Sequence, residues 1–170
     1  MAADILSAER LREVVDYDPA TGVFTRKVRL AQRHQVGDRA DFVITAGNQR
    51  GYYRVCVDSR RYMAHRCAWL CVHGAWPEHD IDHINGDRGD NRIANLRDVP
   101  NQINRQNMRG PRSDNKSGLL GVHWHEGTQK WRARVQLEGR VIEAGLHETR
   151  EQAHAAYLQV KRKAHEGCTI

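Results

Sequence analysis

The sequence predicts an α+β protein: small antiparallel sheets and short helices in two modules joined by a polar linker. Three observations predict it. Residues 130–137 alternate strictly, with Trp131, Ala133, Val135 and Leu137 on one side and Lys130, Arg132, Arg134 and Gln136 on the other. That is the period-two signature of a half-buried strand. The stretches 64–73 and 153–164 instead carry apolar residues at helical spacing. Between them, 110–118 is rich in Gly, Pro, Ser and Asn, the composition of a loop. The expected organisation is therefore a first module over 1–109, a linker over 110–118 and a second module over 119–170.

Taken in order, Ala8 to Val15 reads as a short helix with Ser7 as its N-cap. Tyr17-Asp18-Pro19-Ala20-Thr21-Gly22 is a turn entering a strand, and 26–39 is a basic loop. Tyr53, Val55 and Val57 alternate with Arg54 and Cys56 as a strand, which Asp58-Ser59-Arg60 turns back towards Tyr62. Ala64 to His73 is a helix with Gly74 at its C′ position. Ile81 to Ile84 and Asn95 to Val99 are two short strands around the loop Asn85-Gly86-Asp87, and Asn101 caps an element running to Met108. In the second module, Val122 to Trp124 starts a three-stranded antiparallel sheet. A turn at Glu138-Gly139 pairs Leu137 with Arg140, Val135 with Ile142, Ala133 with Ala144 and Trp131 with Leu146, and sets Arg134 opposite Glu143. Thr149 and Gln152 form a capping box for a helix whose stripe is Ala153, Ala156, Tyr157, Val160 and Ala164, ended by Gly167. One face of the sheet is covered by this helix and the other, bearing Lys130, Arg132 and Arg134, is open.

Composition excludes several classes. The longest apolar run, Ala68 to Val72, is five residues, too short for a membrane span, and the charged first twenty residues contain no signal-peptide core. A cytoplasmic setting follows. The four cysteines, at 56, 67, 71 and 168, form no C-x-x-C pair, so they are expected to be reduced and no structural zinc is expected. The net charge is +6; up to Val99 there are 15 basic and 14 acidic residues, and from Pro100 onward 12 and 7. The basic second half points to a polyanionic partner.

The residues between 82 and 104 carry the chemistry. Asp82-His83 is followed twelve residues after the His by Asn95, and nine later by Asn104. This resembles the HNH nuclease signature in its H-N-N form, on a strand-strand-helix ββα-metal scaffold. His65-Arg66-Cys67-Ala68-Trp69, Gly74-Ala75-Trp76-Pro77 and Tyr17 to Gly22 resemble the lead-in of phage and intron HNH homing endonucleases. From Gly118 onward, Gly121-Val122, Trp131, Gly145 and Ala153 to Tyr157 resemble the apetala-two/ethylene-response-factor DNA-binding domain. Together the two resemblances cover most of the chain and imply a phage-encoded protein.

The resemblance implies metal-dependent hydrolysis of DNA to 5′-phosphate and 3′-hydroxyl ends. His83 is the implied general base and Asn95 the residue that pins the backbone around it. Asp82 and Asn104 are the implied metal ligands, an anionic and an amide oxygen that suit Mg²⁺, with Mn²⁺ as a substitute. Adjacent strand residues point to opposite faces, so Asp82 and His83 serve one site only where the strand ends or distorts. Asn rather than His fills the third position, a weaker ligand that favours magnesium over zinc. In the second module Lys130, Arg132, Arg134, Trp124 and His123 are the implied contacts to double-stranded DNA, although only one of His123 and Trp124 can share the open face. Glu143 stands where plant relatives have an aromatic contact, and it repels phosphate unless paired with Arg134. The expected protein is a monomer or homodimer. The rival reading is a sequence-specific DNA-binding regulator with an inactive HNH fold; an RNA-binding accessory protein is a third.

Overall fold

The computed structural model describes residues 6–108, 110–111, 115–165 and 168–169. It is α+β, and the chain divides into two compact units, Met1–Pro100 and Asn101–Ile170. The division falls ahead of the third helix rather than in the turn-rich stretch, whose residues 112–114 lie outside the described residues.

The first unit opens with α1 (Ala8–Val14), where the Ser7 hydroxyl accepts the Arg10 N–H at 3.1 Å as an N-cap does. Strand β1 (Val15–Tyr17) pairs antiparallel with β2 (Phe24–Arg26) across the Pro19-containing turn. A three-stranded sheet follows in the order β3 (Asp41–Val43), β4 (Tyr53–Val57), β5 (Arg60–Met63). The β4–β5 turn puts Asp58 and Ser59 at φ 48° and 63°, the left-handed pair a tight hairpin requires. Helix α2 (Ala64–His73) ends on Gly74 at φ 74°. The Arg12 guanidinium donates to the Cys71 carbonyl at 2.8 Å, satisfying one of the unpaired carbonyls of the last turn. Leu11, Val14, Phe24, Val55, Val57, Ala64, Cys67, Ala68 and Leu70 form the core. Onto it packs the hairpin of β6 (Asp80–His83) and β7 (Leu96–Val99). Its entry is fixed by Asp98, whose carboxylate accepts the Glu78 and His79 N–H groups, each at 2.8 Å.

The second unit begins with α3 (Asn101–Gln106), whose first residue is Asn101 itself rather than a cap before it. Asn115 Oδ1 then accepts the N–H groups of Ser117 (2.9 Å) and Gly118 (3.0 Å), a side-chain-closed turn leading into the sheet. The sheet runs in the order β10 (Arg140–His147), β9 (Lys130–Leu137), β8 (Val122–His125). Helix α4 (Arg150–Ala164) carries the expected Thr149/Gln152 capping box and packs on this sheet. It closes on His165; Gly167, expected to end it, lies outside the described residues. Val122, Ala133, Val135, Ala153 and Tyr157 are the buried core of the unit. Gly121, at φ 75°, lies flat against Tyr157: a Cβ there would stand 2.0 Å from the ring. Gly121→Ala is expected to cost about 2–4 kcal/mol, from the left-handed backbone and from overpacking. Faster amide exchange across β8 to β10, with the first unit unchanged, reads this loss.

Two expectations for this sheet are corrected. The β9–β10 register holds from Leu137↔Arg140 to Arg134↔Glu143, then slips. Ala133 pairs with Gly145 and Trp131 with His147, not with Ala144 and Leu146. The cause is a β-bulge at Ala144-Gly145, where Gly145 takes φ 104° and His147 Nε2 closes on the Ala144 carbonyl at 3.0 Å. Secondly, Glu143 pairs with Arg132 rather than with Arg134, its cross-strand neighbour. The diagonal reach lets the Nε–Nη2 edge of Arg132 donate to both carboxylate oxygens of Glu143.

Candidate functional site

The β6–β7 hairpin puts Asp82 opposite Arg97 and His83 opposite Leu96. The two neighbours use different partners, as alternation demands. Asp82 Oδ2 accepts from Arg97 Nε (2.9 Å) and Nη2 (2.7 Å), an ion pair with a buried carboxylate and a half-buried guanidinium. His83 ends β6 on the other side, with its Nε2 at 3.3 Å from Asn91 Oδ1. An imidazole that donates from Nε2 carries its lone pair on Nδ1.

The loop after His83 is built almost entirely from its own polar side chains. Gly86 turns it at φ 75°, its N–H on the His83 carbonyl at 2.8 Å. Asn95, in the 3-10 turn Ile93–Asn95, bridges the loop: its Oδ1 accepts the Asn85 N–H (2.9 Å) and its Nδ2 donates to the Asp90 carbonyl (2.8 Å). Asp90 accepts from Asn85 Nδ2 at 2.7 Å and from the Arg92 guanidinium at 2.6 Å; chiefly through Arg92, its carboxyl is held down at about 2. From the far side, the Tyr17 hydroxyl donates to the Asn91 carbonyl at 2.7 Å, and Ile93 N–H reaches the Pro19 carbonyl at 3.2 Å. Gly22 closes this contact: a Cβ there would lie 2.5 Å from the Arg92 nitrogen. The Tyr17 to Gly22 turn is thus a backstop for the loop that holds His83.

The His83 ring packs edge-on against His65 (centroids 5.2 Å apart) and against Tyr52 (5.7 Å). Both histidine rings are buried and Tyr52 is half-buried. Burial pushes the His83 imidazole below its ordinary value, opposed by the Asn91 hydrogen bond and by Asp82, Asp90 and Asp87. Burial first, and the neighbouring His83 next, take His65 down to about 3. Both rings are therefore neutral at pH 7, and a neutral imidazole can accept a proton.

Of the site residues expected from the sequence, the structure brings Asp82, His83 and Asn95 onto one hairpin and its loop. Asn104 lies on α3, in the second unit. Among the described residues no group of three or more His, Cys, Asp or Glu side chains is placed to hold a metal ion. On the second unit's sheet, His123 pairs with Arg132 and so shares the open face, whereas Trp124 pairs with Trp131 and falls on the helix side. Trp124 is the one of the five expected contacts that leaves that face. Lys130 is bound to Glu148 at 2.7 Å, and Arg132 to Glu143.

Asn91, Tyr52 and Arg97 have no role assigned from the sequence, although Asn91 and Arg97 flank the H-N-N residues in the stretches Asp90-Asn91-Arg92 and Asn95-Leu96-Arg97. Asn91 gave no signal beyond an Asp-Asn-Arg tripeptide, because its importance lies in being buried beside the histidine. Arg97 was readable from a two-strand register around Asp82, since cross-strand opposite charges pair.

The sequence profile of the HNH endonuclease family matches residues 62–106, from the end of β5 to the end of α3. Protein 3.8 of Escherichia phage T7 is 30% identical, over a match that covers 57% of this chain and 88% of that protein. No solved structure matches the chain. No helix among the described residues is long and apolar enough to cross a membrane. An HNH domain implies nuclease or DNA-binding work with DNA as its substrate, and its span here contains the whole hairpin, loop and helix that carry Asp82, His83, Asn95 and Asn104. On these grounds the chain carries an HNH endonuclease domain at residues 62–106.

Proposed function

We propose that the chain is a metal-dependent DNA endonuclease in which His83 is the general base. The observation that carries this reading is the His83 ring itself, kept neutral by burial and clamped between Asn91 and the Tyr52 and His65 rings. His83 takes a proton from the water that attacks phosphorus; the bond from phosphorus to the 3′ oxygen breaks, leaving a 5′-phosphate, and the 3′ oxygen takes a proton from solvent to become the hydroxyl. Asn95 and Asn91 hold the loop and the ring, so the base is oriented before substrate arrives. A divalent cation, when bound, supplies positive charge for the leaving oxygen. Asp82 offers it a carboxylate; with waters filling the rest, such a hard oxygen donor suits Mg²⁺ or Mn²⁺. A single site per chain breaks one strand. The second unit, a three-stranded sheet on one helix like the apetala-two domain, adds contacts to duplex DNA through Lys130, Arg132, Arg134 and His123.

Incubation of supercoiled plasmid with the chain tests this: nicked circles in Mg²⁺ or Mn²⁺ and none in chelator are expected. The rival is a DNA-binding regulator, favoured by the engagement of Asp82 Oδ2 with Arg97. Binding of duplex without cutting in any divalent metal is its signature. The pH profile adds a second check. Since burial lowers the His83 value, its neutral form persists below pH 6.5, and nicking at pH 6 should match that at pH 7.5. An acid limb centred at or above 6.5 contradicts the assigned base. For stability the sign is the same: both rings are depressed in the fold, so the unfolded chain gains protons first, and the first unit weakens as pH falls below about 6.5.

A further inference from the structure

The first unit's near-neutral total conceals a strongly basic segment. Residues 24–66 contain ten Lys and Arg against three Asp, a net of +7, more than the +6 of the whole chain. The three carboxylates are engaged: Asp41 with Arg39 (2.9 Å), Asp58 with Arg10 from outside the segment (2.8 Å), and Asp38 with the Gln35 N–H (2.8 Å).

The fold gathers part of this charge on one face. In β4 Val55 and Val57 are buried, so Arg54 and Cys56 face the other way. Across the ladders Phe42 and Met63 flank Arg54, and Arg61 stands opposite Cys56. None of these five side chains is acidic. Arg54 is held by a neutral partner, the Gln49 side-chain oxygen, and the Arg61 guanidinium lies 6.0 Å from the Phe42 ring centroid. The open face of the second unit differs, because Lys130 and Arg132 there each have a carboxylate partner at the surface. The row also leads somewhere. Tyr52, immediately ahead of β4, is in step with Arg54; its ring touches that of His83, and the Arg88 guanidinium lies 4.9 Å from it.

The geometry points to the outer face of β3, β4 and β5 as a track for the phosphate backbone of duplex DNA, held by Arg54 and Arg61 and leading past Arg88 and Tyr52 to His83. That it ends at a cutting site rests on the endonuclease reading. The exposed aromatic is covered by Arg61, so it supports a guanidinium rather than stacking a base. Phosphate contact by two cations is accordingly electrostatic, independent of sequence and steeply dependent on salt.

The test uses the full chain in chelator with a fluorescent random-sequence duplex, its anisotropy followed over a range of salt. Each phosphate contact contributes about 0.9 to the slope of log K against log salt. The doubly substituted Arg54→Gln, Arg61→Gln chain should therefore lose about 1.8 of that slope, and Arg54→Lys, Arg61→Lys should recover it. Arg61 is exposed and Arg54 half-buried, and neither joins the buried core, so thermal unfolding should stay close to wild type. A slope unchanged in the Gln variant overturns the track, whether or not the wild type cuts plasmid. A slope loss seen only with single-stranded DNA overturns the duplex assignment. A slope loss in a chain that cuts under no metal upholds the track and removes the endonuclease reading instead.

Discussion

His83→Ala leaves duplex binding intact and lowers metal-dependent nicking by about 10²- to 10⁴-fold, the contribution expected of a positioned general base. The effect is large because no neighbour replaces the ring. His65, the nearest imidazole, is itself buried and held down to about 3, so it takes up no proton in the working pH range. Binding survives because the cationic side chains of both units are untouched. His83→Ala also removes a ring from a packed cluster, so thermal unfolding has to accompany the rate measurement. His83→Gln, which keeps most of the volume and no useful basicity, should be as slow as the Ala variant while unfolding closer to wild type.

Gly22→Ala is expected to act on the same site from the outside. Its φ of 75° disfavours any side chain, and the added Cβ would meet the backbone of Arg92 at 2.5 Å and of Asn91 at 2.6 Å. Backbone cannot swing aside as a flexible side chain can. The Tyr17 to Gly22 turn or the Asn91-Arg92 segment therefore has to move. We expect a loss of about 3 kcal/mol in the first unit, from overpacking and left-handed strain together. Nicking should fall as well, by about 100-fold, since a displacement of about 1 Å in a positioning residue has that effect on rate. Asn91 is the link, with its carbonyl on Tyr17 and its side chain on His83. Urea unfolding together with the nicking rate reads both. A variant that is destabilised yet nicks normally per folded molecule would break the proposed link.

Much of the fold was legible because its signals are local. The stripe of 64–73, the alternation of 130–137 and the Thr149/Gln152 box each fit within a few turns or strand repeats, and each element formed where periodicity placed it. The His83-Asn95 spacing was legible for the same reason, since one hairpin and its loop carry both. What stayed hidden depends on residues distant in sequence. Tyr17 and Gly22 meet Asn91 across some seventy residues, through a carbonyl and a bare Cα that no periodicity reports. The β10 bulge has a visible mark, Gly145 within a strand pattern, and strict alternation fails there because a bulge adds a residue to one strand. The +7 of 24–66 is invisible in the total for residues 1–99, because the acidic segments on either side cancel it.

The account rests on a divalent ion binding beside His83 at Asp82. Mn²⁺, a paramagnetic substitute for Mg²⁺, can be titrated into the full chain while the NMR signals of the histidine rings are followed. The account predicts that substoichiometric Mn²⁺ broadens the His83 ring signals first, and that Asp82→Asn abolishes this broadening together with nicking. Broadening that begins at another histidine, or that persists unchanged in Asp82→Asn while plasmid is still cut, would contradict it.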